Sequence, residues 1–121
     1  MLLKVKFMSS DRDGWEYLEG PPEKIEVDPS ILLTELSKEI NEVFGIPEGH
    51  HHAFYMDNSR RLPYRNVYSD LPDEPMYKDE RGIKLSDVLR GEKFKYEYSF
   101  SDGLRFQVTV KGAFVQGAAK R

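Results

Sequence analysis

The strongest constraint on the fold is an alternation of apolar and polar residues near the end of the chain. Large apolar side chains occupy alternate positions from Phe94 to Phe100 and again from Leu104 to Val110. Successive side chains of a strand point to opposite faces, so each segment predicts a strand with one apolar face. Because residues opposite each other in a hairpin point the same way, the two apolar faces must coincide.

The loop of this hairpin decides which residues pair. A two-residue turn would place Phe100 opposite Arg105 and would split the apolar face. A three-residue loop at positions 101–103 pairs Phe100 with Leu104 instead, and it places Gly103 where a left-handed conformation is needed. We therefore predict the three-residue loop.

One long segment has the period of a helix. Apolar residues in positions 32–44, among them Val43, fall on one helical face, and polar residues, among them Asn41 and Glu42, fall on the other. Ser30 is predicted to cap the N-terminus, and Gly45 is predicted to end the helix in the left-handed conformation before Pro47. The apolar stripe is one face wide, which predicts that the helix covers a sheet.

Shorter patterns complete the expected fold. Alternation at residues 3–7, 25–27 and 52–57 predicts three more strands, and residues 85–89 predict a short helical turn. The fold class is therefore α+β: a mostly antiparallel or mixed sheet of about five strands, covered on one face by one amphipathic helix.

The length of 121 residues leaves room for one domain, which we place at residues 1–112. Residues 58–82 contain three prolines and many charges without a sustained period, so we expect a long, partly ordered loop there. Residues 113–121 are expected to form a flexible C-terminal tail.

Composition excludes several classes of function. The chain has no cysteine, so disulfides, thiolate nucleophiles and sulfur-ligated zinc are excluded. The net charge is −3 and the basic residues are scattered along the sequence, which argues against nucleic acid as a partner. No membrane span or secretory signal is recognisable, because residues 1–8 alternate like a strand. We expect a cytoplasmic monomer or weak homodimer.

Three consecutive histidines suggest metal chemistry. His50 and His52 occupy alternate positions and would point the same way from a strand. A third ligand would have to come from a carboxylate such as Asp57, so one hypothesis is a metal-dependent enzyme that holds a divalent ion on these three residues. The other acidic candidates are Asp70, Asp73 and Asp79. No other cofactor is predicted.

The leading hypothesis is a noncatalytic binding or protein-interaction module. The sequence contains no phosphate-binding glycine loop, nucleophile elbow or zinc-protease motif. A long loop that carries several tyrosines is typical of a contact surface for a protein or a small molecule. The predicted binding surface consists of Arg60, Arg61, Tyr64, Tyr68 and Tyr77.

Several of these segments together resemble the Ri-plasmid open-reading-frame-three-like family over residues 21–111. The resemblance rests on Leu33, Leu36, Ile40, Phe44 and Gly45 of the helix, on His50, His52 and Phe54, on Leu85 to Leu89, and on Tyr96, Tyr98, Phe100 and Asp102 of the hairpin. It implies an α+β domain with a ubiquitin-like strand order and no established activity.

Members of this family are often labelled as passenger proteins of insertion elements. That association implies a second alternative, a nucleic-acid-binding accessory protein of a mobile element. The chain departs from the family pattern in the hairpin, where Ser99, Ser101, Leu104 and Phe106 replace an aspartate, a glycine, a tryptophan and a histidine. These departures weaken the metal hypothesis, because half of the polar residues near the histidines are absent.

Overall fold

The computed structural model describes residues 1–11, 18–71 and 76–111. The elements follow in the order β1 (Leu2–Ser9), β2 (Glu23–Glu26), α1 (Leu33–Phe44), β3 (His52–Tyr55), β4 (Val67–Ser69), β5 (Lys78–Asp79), α2 (Leu85–Val88), β6 (Lys93–Tyr98) and β7 (Leu104–Lys111). The expected tail at 113–121 lies outside the described residues, and the single domain at 1–112 stays a prediction.

The strands of the described residues form one seven-stranded sheet in the order β2-β1-β7-β6-β3-β4-β5. Neighbouring strands are antiparallel except for β4 and β5, which are parallel at one edge. The α+β class is confirmed, although the sheet has seven strands and not about five. The ubiquitin-like strand order is not confirmed, and β1 and β7 pair antiparallel inside the sheet.

The two additional strands lie in the segment that was predicted to be a loop. Strand β4 pairs with β3, and β5 then pairs with β4. These strands contain only three and two residues. A segment this short cannot show a recognisable alternation, so the segment 58–82 reads as irregular in the sequence although part of it belongs to the sheet.

The C-terminal hairpin has the predicted apolar face but a different register. Tyr98 pairs with Leu104, and Tyr96 pairs with Phe106. The predicted three-residue loop is therefore wrong, and the connection spans residues 99–103. Because the register differs by two positions, every side chain keeps its face.

The longer loop has a physical reason. The carbonyl oxygen of Ser99 accepts hydrogen bonds from the backbone N–H groups of Asp102 at 2.9 Å and Gly103 at 2.6 Å, which closes the turn. Ser99 and Gly103 both adopt positive φ, at 59° and 61°. Phe100 is thereby released from the strand and stacks on Tyr77, with ring centroids 5.8 Å apart.

Helix α1 packs on one face of the sheet and closes the main core. Gly45 ends the helix with φ of 67°, as predicted. The predicted N-cap is wrong: Leu32 occupies that position, and the Ser30 hydroxyl donates to Asp28 at 2.6 Å. The core contains, among others, Leu3, Val5, Leu33, Leu36, Ile40, Phe54, Phe94, Tyr96, Phe106 and Val108.

The described residues contain no helix long and apolar enough to cross a membrane.

Helix α1 also buries a polar side chain that was assigned to its solvent face. Asn41 is 1% exposed, whereas Val43, predicted on the apolar face, is 41% exposed. The Tyr96 hydroxyl donates to Asn41 Oδ1 at 2.7 Å, and Asn41 Nδ2 donates to Glu48 at 3.2 Å. Burial raises the pKa of Tyr96 well above its usual value, so this phenol acts as a donor.

Replacing Asn41 by leucine should destabilise the protein. The Asn41→Leu variant leaves the buried Tyr96 hydroxyl without an acceptor, which costs roughly 2 kcal/mol. Urea unfolding monitored by circular dichroism measures this loss. The double variant with Tyr96→Phe removes both partners and should lose less than the sum of the single changes. Additive losses would show that the two side chains are not coupled.

Candidate functional site

The structure places His52 in a buried polar network and not at an open metal site. The His52 side chain is 8% exposed, and its Nε2 lies 2.6 Å from Oε1 of Glu80, which is fully buried. Its Nδ1 lies 3.6 Å from Asp70. The backbone N–H of His52 donates to the other Asp70 oxygen at 3.0 Å, and Ser69 Oγ donates to the His52 carbonyl at 2.6 Å. This network attaches the segment after β4 to β3.

The three predicted metal ligands are not brought together. His50 lies before β3, where its Nδ1 is 3.3 Å from Ser99 Oγ. Asp57 lies beyond the opposite end of β3 and interacts with Asn66 at 3.0 Å and Arg90 at 3.5 Å. Across the described ranges, no group of three or more histidine and acidic side chains is arranged to hold a metal ion.

The predicted binding surface is divided between the two faces of the sheet. Tyr64 and Tyr77 stack at 6.0 Å on the face opposite α1, which we call the outer face. Tyr68 pairs with the core residue Phe54 and therefore lies on the other face, under the ammonium group of Lys78. Arg61 is exposed. The five predicted residues thus form no continuous surface.

Arg60 belongs to a second buried network, centred on the carboxylate of Glu97. Glu97 is 5% exposed and accepts from the Tyr55 hydroxyl at 2.8 Å and from Arg60 at 3.2 Å. Arg105 lies 3.8 Å away and donates both Nη groups to Asp11, at 2.7 and 2.8 Å. The hydrogen bond from Arg105 lowers the pKa of Asp11. Burial and the Glu97 charge raise the pKa of Tyr55 far above its usual value.

The outer face carries a row of lysines that sequence reasoning missed. Lys24 of β2 lies directly opposite Lys4 of β1, Lys4 lies opposite Thr109 of β7, and Thr109 lies opposite Lys93 of β6. We call this line across four strands the lysine row. Lys6 and Lys111 flank it on the same face. None of these five lysines has an acidic partner in the described chain.

The lysine row contains one directly opposed pair of like charges. Lys4 and Lys24 face each other on neighbouring strands, and like charges in this position destabilise a sheet, whereas Thr109 separates Lys4 from Lys93. Burial together with the charges of Arg60 and Lys93 lowers the pKa of the neighbouring Lys95. Lysine on an edge strand deters aggregation, which accounts for Lys24 of β2, but Lys4 and Lys93 lie on interior strands. Edge protection therefore does not explain the row.

A shallow groove adjoins the β2 end of the lysine row. Its volume is 460 Å³, within the range of ligand sites in proteins. It combines lysine ammonium groups with apolar surface, and it is lined by Leu2, Lys4, Pro22, Lys24 and Lys111.

The signal for this surface was present in the alternation itself. Lys4 separates the core residues Leu3 and Val5, Lys6 follows Val5, and Lys93 precedes the core residue Phe94. Only the order of the strands brings these lysines together, because they lie far apart along the chain.

A family model described as plasmid pRiA4b ORF-3-like protein matches residues 23–120. The chain belongs to the plasmid pRiA4b ORF-3-like family. This confirms the family resemblance of α1, the histidine segment and the C-terminal hairpin. The family description assigns no activity to its members.

The fold of this plasmid pRiA4b ORF-3-like chain is similar to that of a protein of unknown function from Methanosarcina mazei Go1. The TM-score is 0.67 at 21% sequence identity, and the similarity covers 91% of this chain and 57% of that protein. The chain therefore spans little more than half of its structural relative, and the likeness concerns the fold alone. A search of curated protein sequences finds no match.

Breaking the His52–Glu80 pair should destabilise the protein strongly. The Glu80→Leu variant leaves the buried His52 Nε2 without its hydrogen-bond partner, which costs roughly 2 kcal/mol. Chemical unfolding followed by tryptophan fluorescence and circular dichroism measures the loss. Glu42→Leu, at an exposed position of α1, serves as the control and should change stability by less than about 0.5 kcal/mol. Equal effects of the two changes would contradict a structural role for the pair.

Proposed function

We propose that the chain is a noncatalytic binding module and that the outer face around the lysine row contacts an anionic partner. The observation that carries this proposal is a set of five lysines on one sheet face, none of which has an acidic partner among the described residues, in a chain whose net charge is −3. Positive charge concentrated on one surface favours encounter with an anion and is unfavourable without one.

The polar networks support a noncatalytic role. The imidazole of His52 is engaged by Glu80 and is nearly inaccessible to solvent. The carboxylate of Glu97 is held by Tyr55 and Arg60 beneath the outer face. A general acid or base must reach the proton that it transfers, so groups held in this way are poorly placed for catalysis. Their geometry fits a role in attaching the segment 58–82 to the sheet.

The two alternatives have different support. The metal-dependent enzyme is disfavoured by the separation of Asp57 from His50 and His52, because a hydrolytic metal needs at least three protein ligands in contact. Nucleic acid is favoured by the lysine row more than the scattered sequence positions suggested, since phosphates attract clustered lysines. Nucleic acid is therefore the second candidate anion for the same surface.

Chromatography on immobilised heparin, a sulfated polyanion, tests the proposed surface. The wild-type protein should be retained at low salt in spite of its net negative charge, and it should elute as salt screens the interaction. The triple variant Lys4→Gln, Lys24→Gln, Lys93→Gln should pass through the column or elute at clearly lower salt, because it lacks the charges of the lysine row.

A matched variant controls for the overall charge. Lys38, Lys78 and Lys84 are exposed lysines outside the outer face, and their replacement by glutamine removes the same number of charges. This variant should be retained like the wild type. Failure of the wild-type protein to bind, or equal weakening by both triple variants, would contradict the proposal. Circular dichroism verifies that each variant is folded.

A further inference from the structure

We propose that the partner of the lysine row is an extended acidic segment of another protein, with alternate carboxylates on the row and one apolar side chain in the adjoining groove. This inference rests on the proposed function and names the kind of anion that the outer face binds. Its basis is the juxtaposition of Lys24, Lys4 and Lys93 with the apolar groove at the β2 end of the row.

The length of the lysine row fits alternate side chains of an extended chain. Neighbouring strands lie about 4.8 Å apart, so the step from Lys24 on β2 to Lys93 on β6 spans roughly 14 Å. In an extended peptide, three side chains on the same face also span about 14 Å, since the rise is about 3.4 Å per residue. Lys4 lies one strand from Lys24 and two strands from Lys93, so it is about 2 Å away from the evenly spaced position of the second peptide carboxylate. The flexible stem of lysine absorbs this difference.

The groove adds an apolar contact at one end of the row. Leu2 and Pro22 contribute apolar surface, and the stems of Lys4, Lys24 and Lys111 border it. A leucine-sized side chain next to the first carboxylate would therefore contact apolar atoms while the carboxylate meets an ammonium group. A purely ionic ligand would leave this apolar surface exposed.

The composition of the outer face favours a protein segment over single-stranded nucleic acid. Arginine is preferred for phosphate and nucleic-acid recognition, but the charged residues of the row are lysines. The arginines of the outer face, Arg60 and Arg105, are already engaged by Glu97 and Asp11. Bases would also need free aromatic faces on which to stack. The Tyr77 ring is already stacked between Tyr64 and Phe100, at 6.0 and 5.8 Å.

The segment is placed across the outer face and not along the sheet edge. Strand β2 is at the edge, but it has only four residues and follows Pro21 and Pro22. Short length, proline and charged side chains are features that prevent another strand from pairing with an edge. The face of the sheet is therefore the accessible surface for this partner.

Synthetic peptides test the inference directly. The probe is an end-capped heptapeptide, Leu-Ser-Glu-Ser-Glu-Ser-Glu, in which leucine and the three glutamates share one face of an extended chain. Its binding to the full chain is measured by fluorescence anisotropy. The variant Lys4→Gln, Lys24→Gln, Lys93→Gln should bind roughly tenfold more weakly, and the variant with glutamine at Lys38, Lys78 and Lys84 should bind like the wild type.

Two control peptides separate spacing from charge. Leu-Glu-Glu-Glu-Ser-Ser-Ser has the same composition without the alternation, and a peptide with serine in place of leucine lacks the apolar contact. Both should bind several-fold more weakly than the probe. Equal affinity of the probe and the contiguous peptide would overturn the inference, since charge alone would then explain binding.

Failure of this inference can be distinguished from failure of the proposed function. Retention on heparin that depends on the lysine row, without binding of the probe peptide, overturns the acidic segment and leaves an anion-binding surface. Tighter binding of a single-stranded thymidine heptanucleotide than of the peptide also overturns the inference and makes nucleic acid the partner. Loss of both heparin retention and peptide binding overturns both.

Discussion

The packing of α1 against the aromatic residues of β6 and β7 is the interaction on which the rest of the structure depends. Tyr96 and Phe106 are buried by the helix, and the Tyr96 hydroxyl is satisfied by Asn41 of the same helix. The main core lies on this face, which leaves the outer face to polar residues and a small aromatic cluster. The division of the sheet into two unlike faces therefore follows from the placement of one helix.

The sequence was sufficient for those parts of the fold that have long periodic patterns. The helix over residues 33–44, its end at Gly45 and the shared apolar face of β6 and β7 were all predictable, because burial of large side chains outweighs local preferences. The hairpin register differs from the prediction because the loop closes on the Ser99 carbonyl oxygen and Phe100 stacks on Tyr77, a contact between distant segments that the sequence alone does not show. Strands β4 and β5 were missed for the same reason: their pairing with β3 defines them, and their own residues do not.

The candidate site was less predictable than the fold. His50 and His52 were selected by residue type alone. In the structure Asp57 lies beyond the opposite end of β3, where it interacts with Arg90, and the buried His52 side chain interacts with Glu80. No single lysine of the outer face was predicted as a site residue from the sequence. Their significance comes from strand order, which a single sequence does not determine when the connections are long.

The lysine row is tied to the core by the two-residue period of the strands. In β1, the same alternation places Leu3 and Val5 in the core and Lys4 on the outer face, so one pattern determines both which residues are buried and which are exposed. An insertion or deletion of a single residue within this strand would exchange the two sets, exposing aliphatic groups and burying ammonium groups together. A shift in the alternation therefore changes the surface charge and the core of this strand together, whereas substitution of Lys4 changes the surface charge alone.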